Sequence, residues 1–226
     1  EINRIIREKR TVPNVTDYDF VGVGPPTGTH KAYHGASDSE LPPESVGWTE
    51  LLAEEYQKLW YSDDTRFSKS QSENGKYSMV LFRFKILSKE AVVKKIVLAF
   101  EGYGTAPSGN GVTVKVWDHV NEVWEEAQTG IGGADETITI TLTSSLTDYV
   151  NDDGYVYLLA RTTNPSNGVV AAILYCDYAS CTVTVNGITY CDVVGFRDLD
   201  QVRVKPFLWR TEFIVKTWMF EKVLGG

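Results

Sequence analysis

The chain has 226 residues, of which 42% are hydrophobic and 23% are charged, and its formal net charge is -8. These are the values of a globular protein, which excludes a disordered chain and a membrane protein. The longest apolar run, residues 169–176, is far shorter than a membrane span requires. The negative charge disfavours nucleic-acid binding, because phosphate recognition needs a positive surface. We therefore expect a soluble protein with no nucleic-acid partner and no membrane insertion.

Residues 1–60 are predicted to form an N-terminal arm with a short helical segment. Residues 1–10 combine basic side chains with isoleucines at helical spacing, which suits either a plain terminal arm or a short helix that docks on a neighbour. Residues 11–47 contain five prolines and no sustained periodicity, and residues 48–60 have apolar positions at helical spacing. Because the chain starts at Glu1 and not at Met, we expect that preceding residues were removed or renumbered.

Residues 61–185 show strand-like runs separated by turn signals. The predicted strands are residues 77–87, 92–100, 112–117, 136–143, 155–160 and 169–175, with a further strand beginning near Trp124. Helical and strand patterns do not alternate, so the prediction is an all-β antiparallel sandwich of the jelly-roll type. The runs 155–160 and 169–175 have no polar member, which predicts two core strands. The predicted core residues are Phe84, Val156, Leu158 and Ile173.

Two further features qualify this pattern. Residues 101–111 are rich in glycine but lack the lysine and the following helix of a phosphate-binding loop, so they predict a loop at one end of the sandwich. In the hairpin that joins residues 112–117 to the next strand, Trp117 and Trp124 stand on opposite strands.

Residues 186–226 are predicted to form a C-terminal hairpin and strand extension. Asn186-Gly187 is a two-residue turn signal, which predicts a hairpin over residues 183–193. Residues 211–218 predict a strand with large apolar side chains on both faces. Exposed in a monomer, so much aromatic surface favours association. The predicted assembly residues are Trp209, Phe213, Trp218 and Phe220.

The three cysteines are Cys176, Cys181 and Cys191. In the predicted hairpin register, Cys181 lies opposite Asp192, so Cys181 and Cys191 are offset by one residue and point to opposite sheet faces. We therefore expect free thiols. Metal binding by the three cysteines is the alternative, although the sequence has no CxxC pair.

Several short motifs follow one another along residues 61–185. They are Ser62-Asp63-Asp64, Phe82-Arg83-Phe84, Val116-Trp117, Trp124-Glu125, Asp148-Tyr149-Val150, Gly154-Tyr155-Val156 and Leu174-Tyr175-Cys176-Asp177-Tyr178. Their order resembles the galactose-binding-like jelly-roll modules of prokaryotic surface proteins and the carbohydrate-binding modules of enzymes. The resemblance implies a β-sandwich that often binds a structural calcium ion at one end, and Asp63, Asp64 and Asp177 are the candidate ligands. Paired aspartates in turns are also common without a metal.

The sequence contains no catalytic motif such as GxSxG, HExxH or a Walker loop, so we expect no enzymatic activity. His119 follows Asp118 in a turn and is interpreted as a surface residue. Trp117, Trp124 and Tyr103 are candidate ligand-binding residues, because aromatic faces pack against the apolar face of a pyranose ring. The alternative is that the tryptophans fill the core.

These features predict a non-enzymatic structural protein that self-assembles through its terminal extensions, as a virion component or a surface filament subunit. The alternative is a carbohydrate-binding or adhesive surface module. The expected partners are copies of the same chain and, in the alternative, carbohydrate. The expected location is the virion or the extracellular surface, and no cofactor is expected other than a structural calcium ion.

Overall fold

β-Strands provide most of the regular structure in the computed structural model, which describes residues 14–25, 28–88, 90–185 and, for the backbone, 190–200 and 209–218. The strands are β1 (Asn14–Tyr18), β2 (Lys31–Ser37), β3 (Thr49–Glu50), β4 (Phe67–Gln71), β5 (Tyr77–Lys85), β6 (Val93–Thr105), β7 (Val112–Asp118), β8 (Val123–Gly130), β9 (Glu136–Leu142), β10 (Tyr155–Thr162), β11 (Ala172–Val185), β12 (Tyr190–Asp200) and β13 (Trp209–Trp218). The short helices are α1 (Ala53–Tyr56), which continues into a 3-10 turn (Gln57–Leu59), and α2 (Leu146–Tyr149). Among the described helices, none has both the length and the apolar character that crossing a membrane requires.

The chain divides into two units, Val15–Thr184 and a second unit that combines Glu1–Asn14 with Val185–Gly226. The first unit contains two sheets. The five-stranded sheet has the order β1-β11-β6-β9, with β4 also paired to β11, and the six-stranded sheet has the order β3-β2-β5-β10-β7-β8. The rings of Phe82 (β5) and Phe100 (β6) meet with their centroids 6.1 Å apart, so the core lies between the two sheets. The predicted all-β antiparallel sandwich is confirmed.

The two predicted core strands, β10 and β11, each lie inside a sheet, one in each layer. β10 pairs with β5 and β7, whereas β11 lies between β6 and the edge strands β1 and β4. Val156, Leu158 and Phe84 are buried, as predicted. The prediction for Ile173 is wrong by one residue. Ile173 is half-buried and faces Ser70 of β4 in register, whereas its neighbour Leu174 is in the core.

β11 begins later than the sequence predicted. Val169 and Val170 belonged to the predicted strand, yet they are 91% and 51% exposed. The side chain of Asn167 accepts hydrogen bonds from both of their backbone N–H groups, at 3.0 and 2.7 Å. Such an asparagine turn competes with strand pairing, so the ladder starts only at Ala172.

β6 extends into the segment that the glycines predicted to be a loop. The strand continues to Thr105, and the connection to β7 is correspondingly shorter. Gly102 allows this close approach between β6 and β11. A Cβ atom at Gly102 would lie 2.1 Å from the carbonyl oxygen of Tyr175, and the φ of Gly102 is +153°. A glycine-rich stretch can therefore be strand where two backbones lie close together.

The described part of the predicted N-terminal arm belongs to the sandwich. β1 pairs in the five-stranded sheet, and β2 and β3 form one edge of the six-stranded sheet. The buried Tyr56, at the end of α1, accepts a hydrogen bond from the N–H of Ala32 through its hydroxyl oxygen, at 2.8 Å. The sandwich therefore begins before the predicted boundary near residue 60. Prolines and glycines between the short strands β1 to β3 hid the alternation of these strands in the sequence. Residues 1–13 lie outside the described residues.

The second unit contains a two-stranded sheet. β12 and β13 pair antiparallel, from Tyr190 opposite Trp218 to Asp200 opposite Trp209. The predicted strand over residues 211–218 is confirmed. Among the described residues, β11 pairs within the five-stranded sheet and β12 pairs with β13, so the predicted hairpin over residues 183–193 stays a prediction. Residues 186–189, which include the Asn-Gly turn signal, lie outside the described residues.

Cys176 and Cys181 are free and buried, which agrees with the predicted thiols. Both lie on β11. Burial raises the pKa of both thiols. The side chain of Cys191 lies outside the described residues.

Replacing Leu158 by alanine should lower the free energy of unfolding by about 2 to 5 kcal/mol, because Leu158 is 1% exposed and its removal leaves a cavity. Chemical denaturation measures the change. Leu87→Ala is the matched control, since Leu87 is 84% exposed and should lose little. A loss below about 1 kcal/mol for Leu158→Ala would contradict the burial of β10 between two layers.

Candidate functional site

The face of the six-stranded sheet that points away from the sandwich core carries a second apolar cluster. Side chains alternate between the two faces of a strand, so the neighbours of the core residues on β5, β7 and β10 face outward. Three of them, Leu81, Trp117 and Tyr157, are only 1%, 8% and 4% exposed. The partly buried side chains that pack against them are Tyr33, Trp48, Trp124 and Tyr155. Something other than the second sheet therefore covers this face.

The cover segment, residues 38–48 between β2 and β3, lies over this outer face. The carboxylate of Glu40 accepts hydrogen bonds from Lys115 Nζ and Arg161 Nε, both at 2.8 Å. Burial acts to raise the pKa of Glu40, but these two bonds outweigh it and the pKa is lowered overall. The indole N–H of Trp124 donates to the carbonyl oxygen of Leu41 at 2.9 Å. Ion pairs and an indole hydrogen bond thus hold the cover segment on the sheet.

A cleft remains between the cover segment and the sheet. Its larger part has a volume of about 360 Å³. The residues that line this part are Pro42, Pro43, Glu44, Trp117, His119, Glu122, Asn151 and Tyr157. A smaller part of about 180 Å³ is lined by Tyr33, Pro43, Glu44, Ser45, Trp48, Arg83 and Tyr157. Because Pro43, Glu44 and Tyr157 line both parts, we treat them as one cleft.

The polar groups of the cleft are held in place by hydrogen bonds. The Tyr157 hydroxyl donates to Glu44 Oε1 at 3.1 Å, and burial, reinforced by Glu44, raises the pKa of Tyr157. His119 Nε2 lies 3.2 Å from the carbonyl oxygen of Tyr155, and burial lowers the pKa of His119. A neutral ring that donates from Nε2 keeps Nδ1 as an acceptor. Asn151 Oδ1 accepts from the N–H of Tyr155 at 2.7 Å. The cleft therefore presents neutral donors and acceptors beside the carboxylates of Glu44 and Glu122 and the guanidinium of Arg83.

The structure brings two of the three predicted ligand-binding residues together. Trp117 and Trp124 pack edge to face, with ring centroids 5.1 Å apart, but only Trp117 lines the cleft. Tyr103 lies on β6 in the other sheet, where it stacks on Tyr175 at 4.4 Å. The tyrosine is therefore not part of the cleft.

Sequence interpretation missed other residues of the cleft. His119 was interpreted as a surface turn residue, yet it is half-buried and lines the cleft. The alternation of Tyr155 and Tyr157 with core residues was the available signal for an aromatic outer face. The proline-containing segment around Glu44 gave no such signal.

Two of the three predicted metal ligands, Asp64 and Asp177, lie in a cluster of carboxylates. Oxygen atoms of Asp64, Asp135 and Asp177 all lie within 4.8 Å of one another. Asp63 is not in the group, and its Oδ1 accepts the N–H of Thr65 at 2.9 Å. Asp135, on the loop before β9, takes the place predicted for Asp63.

Asp177 is the most unusual member of this cluster. It is 1% exposed, its Oδ2 accepts the N–H of Asp64 at 3.2 Å, and its Oδ1 is buried without a partner among the described residues. Burial raises the pKa of Asp177. A buried carboxylate oxygen without a donor is costly, and a cation would satisfy it.

The donor set suits calcium, which prefers carboxylate and carbonyl oxygens. Arg66 competes for two of the three carboxylates, since its Nη2 lies 2.6 Å from Asp64 Oδ1 and 2.5 Å from Asp135 Oδ2. The three aspartates would hold the ion, with Asp177 as the ligand that Arg66 does not neutralise. A bound ion would tie the loop before β4 to β11 and to the loop before β9. Calcium binding stays a prediction.

Calcium should raise the melting temperature of the protein, and Asp177→Asn should abolish this rise, because the amide removes the uncompensated negative charge. Differential scanning fluorimetry with millimolar calcium or with a chelator measures the effect. Asp63→Asn is the matched control and should keep the response, since Asp63 is outside the cluster. A melting temperature of the unaltered protein that is insensitive to calcium would contradict the prediction.

Solved structures with similar folds are distant in sequence. One is titled "xylan-binding module CBM15", with 12% identity and a TM-score of 0.37 over 77% of this chain and 97% of that chain. Another, titled "CBM4 structure and function", has 16% identity and a TM-score of 0.31 over 51% of this chain and 77% of that chain. The enzymatically active domain of the Bacteriophage CBA120 tailspike protein 4 has 9% identity and a TM-score of 0.31, over 76% of this chain and 19% of that chain.

No curated protein matches the sequence. A family model matches residues 27–185, which is more than half of the chain and ends at the residue where the predicted module ends. The chain therefore belongs to the family described as "AF_1625_C: Uncharacterized protein, C-terminal domain".

Proposed function

We propose that this protein is a non-enzymatic module that binds carbohydrate in the cleft under the cover segment. The observation that carries the proposal is the combination of aromatic walls and fixed polar groups in one cleft on the outer face of the six-stranded sheet. The larger part of the cleft, about 360 Å³, falls within the range of small-molecule sites. This was the alternative function that the sequence indicated.

The chemistry of the cleft matches that of a sugar. A pyranose ring has an apolar C–H face and a rim of hydroxyl groups, so it needs both an aromatic surface and hydrogen-bonding partners. Trp117 and Tyr157 supply the aromatic surface, while Glu44, His119 and Asn151 supply the polar groups. Because both rings are mostly buried, we expect the polar groups to contribute most of the specificity.

Two carboxylates line the cleft, which raises the question of glycoside hydrolysis. A glycosidase needs one carboxylic acid that stays protonated, and burial is the usual means of keeping it so. Glu44 and Glu122 are both exposed to solvent. The cleft thus lacks the environment of a general acid, which supports a binding role without catalysis.

Glu44→Ala and His119→Ala should each weaken polysaccharide binding by about tenfold, the effect of losing one good hydrogen bond. Affinity gel electrophoresis against a panel of soluble neutral and acidic polysaccharides measures the change. Tyr103→Ala is the matched control, because it removes an aromatic residue on the other sheet. If no polysaccharide retards the unaltered protein, the proposed function is wrong. If Tyr103→Ala weakens binding as much, the site lies elsewhere.

Self-assembly through the terminal extensions is the second candidate function, and the arrangement of β12 and β13 favours it. In the described part of this unit they form a two-stranded sheet, and such sheets are marginally stable in isolation. Three of the predicted assembly residues, Trp209, Phe213 and Trp218, lie on β13, whereas Phe220 lies outside the described residues. Packing between copies would stabilise this sheet, as expected for a virion component or a surface filament subunit at the virion or extracellular surface.

Light scattering of the full chain should then give the mass of an oligomer, and deletion of residues 186–226 should give a folded monomer. The deletion starts at residue 186 because removal of β13 alone would leave β12 without its partner. Circular dichroism controls for folding of the shortened chain. A monomeric full chain at high concentration would contradict self-assembly without affecting the proposed carbohydrate site.

A further inference from the structure

Most basic residues on the outer face of the six-stranded sheet are neutralised by a carboxylate. Lys31 pairs with Glu50 at 2.9 Å, and Lys115 and Arg161 both pair with Glu40 at 2.8 Å. The first pair joins β2 to β3, and the other two join the cover segment to the sheet. These three basic residues therefore have structural partners within the chain. In the described part of the chain, Arg83 forms no such ion pair.

Arg83 stands near the centre of this face. It lies on β5, opposite Lys31 of β2 and Tyr157 of β10, and it lines the smaller part of the cleft. Its guanidinium carbon is 4.5 Å from the centre of the Tyr155 ring, and the ammonium group of Lys85 is 4.6 Å from the same centre. Tyr155 thus holds two cationic groups close together beside the cleft.

The guanidinium of Arg83 has unused hydrogen-bonding capacity. Its Nε is buried and has no hydrogen-bond partner among the described residues. A buried donor without an acceptor is costly, and the cost is removed when a ligand supplies the acceptor. The planar fork of a guanidinium matches the two oxygens of a carboxylate or a sulfate. Arg83 is half-buried and lines the smaller part of the cleft, where such an anionic group would reach its guanidinium.

Glu44 does not supply this partner. Its carboxylate accepts a hydrogen bond from the Tyr157 hydroxyl, and no ion pair joins it to Arg83 in the described part of the chain. Glu44 lies on the cover segment, whereas Arg83 lies on the sheet. An anionic ligand group would therefore sit against the sheet side of the cleft.

We propose that the cleft binds an acidic saccharide whose carboxylate or sulfate group pairs with Arg83, while neutral sugar units occupy the larger part of the cleft. This inference rests on the proposed function, because it names the class of carbohydrate for the same site. A uronic acid and a sulfated sugar offer the same oxygen geometry to the guanidinium. The experiment distinguishes these two sources.

The test compares polymers that differ only in charge. Polygalacturonate, alginate and glucuronoxylan are each paired with the same polymer after chemical reduction of its carboxylates to hydroxymethyl groups, and dextran sulfate is paired with dextran. Affinity gel electrophoresis of the full chain should show at least one acidic polymer bound about tenfold more tightly than its neutral form, as expected for a charge-assisted hydrogen bond. Preference for a uronate identifies the carboxylate, and preference for dextran sulfate identifies the sulfate.

Substitutions at Arg83 assign the preference to this side chain. Arg83→Gln should reduce affinity for the acidic polymer to that for the neutral form, and Arg83→Lys should restore only part of it, because lysine keeps the charge but lacks the fork. Lys95→Gln is the matched control, since it removes one positive charge from an exposed position on β6 in the other sheet. Thermal melting of each variant verifies that it is folded.

The outcomes separate this inference from the proposed function. If acidic and neutral polymers bind equally, or if Arg83→Gln and Lys95→Gln reduce binding alike, the role of Arg83 is wrong while carbohydrate binding stands. If no polymer of either kind binds, both proposals are overturned. If Arg83→Gln fails to fold, the affinity of Arg83→Lys for the acidic polymer is compared with that of the unaltered protein. Equal affinities would overturn the pairing between Arg83 and the anionic group.

Discussion

β10 must be covered on both of its faces. Its residues from Val156 to Ala160 are all buried, although successive side chains point to opposite sides of the sheet. The five-stranded sheet covers the inner face, as in any sandwich, but it cannot cover the outer one. The cover segment supplies the second layer over Tyr157 and its neighbours. An all-apolar strand in an antiparallel sheet therefore requires an additional covering element, and this requirement positions the cleft.

The cover segment is held by charge rather than by regular structure. Glu40 is about one-fifth exposed, and it lies between Lys115 and Arg161 on two neighbouring strands. Burial opposes ionisation of Glu40, so the carboxylate is stable there only because two cations bond to it. The segment has few backbone partners of its own, and its prolines limit its conformations. This combination leaves a cleft beside the anchored point instead of a closely packed layer.

The sequence predicted those features that depend on local alternation. The strand patterns of β5 and β9 are period-two, and β10 is a short apolar run, so all three were recognisable, as was the hairpin that pairs Trp117 with Trp124. Features that depend on distant contacts were not predictable. Asp135 joins Asp64 and Asp177 only through the fold, and Glu40 and Glu44 reach the outer face through a segment without periodicity. The start of β11 was misplaced because Asn167 turns the chain with its side chain, which apolar periodicity does not register.

The charged residues that line the cleft carry both signs, with Arg83 on the sheet and Glu44 and Glu122 as carboxylates. The net charge is -8, and the aspartate cluster around Asp177 lies near the start of β4 and on β11, in the five-stranded sheet. At physiological salt, exposed charges more than about 8 Å apart are largely screened from each other, so groups that touch a ligand matter more to its binding than the net charge does. Arg83 and Lys85 are both held against the Tyr155 ring, which groups two cations on the sheet side. An acidic chain can contain a cationic binding site when its basic residues are grouped in this way, because short-range contacts and not net charge decide which ligand group is bound.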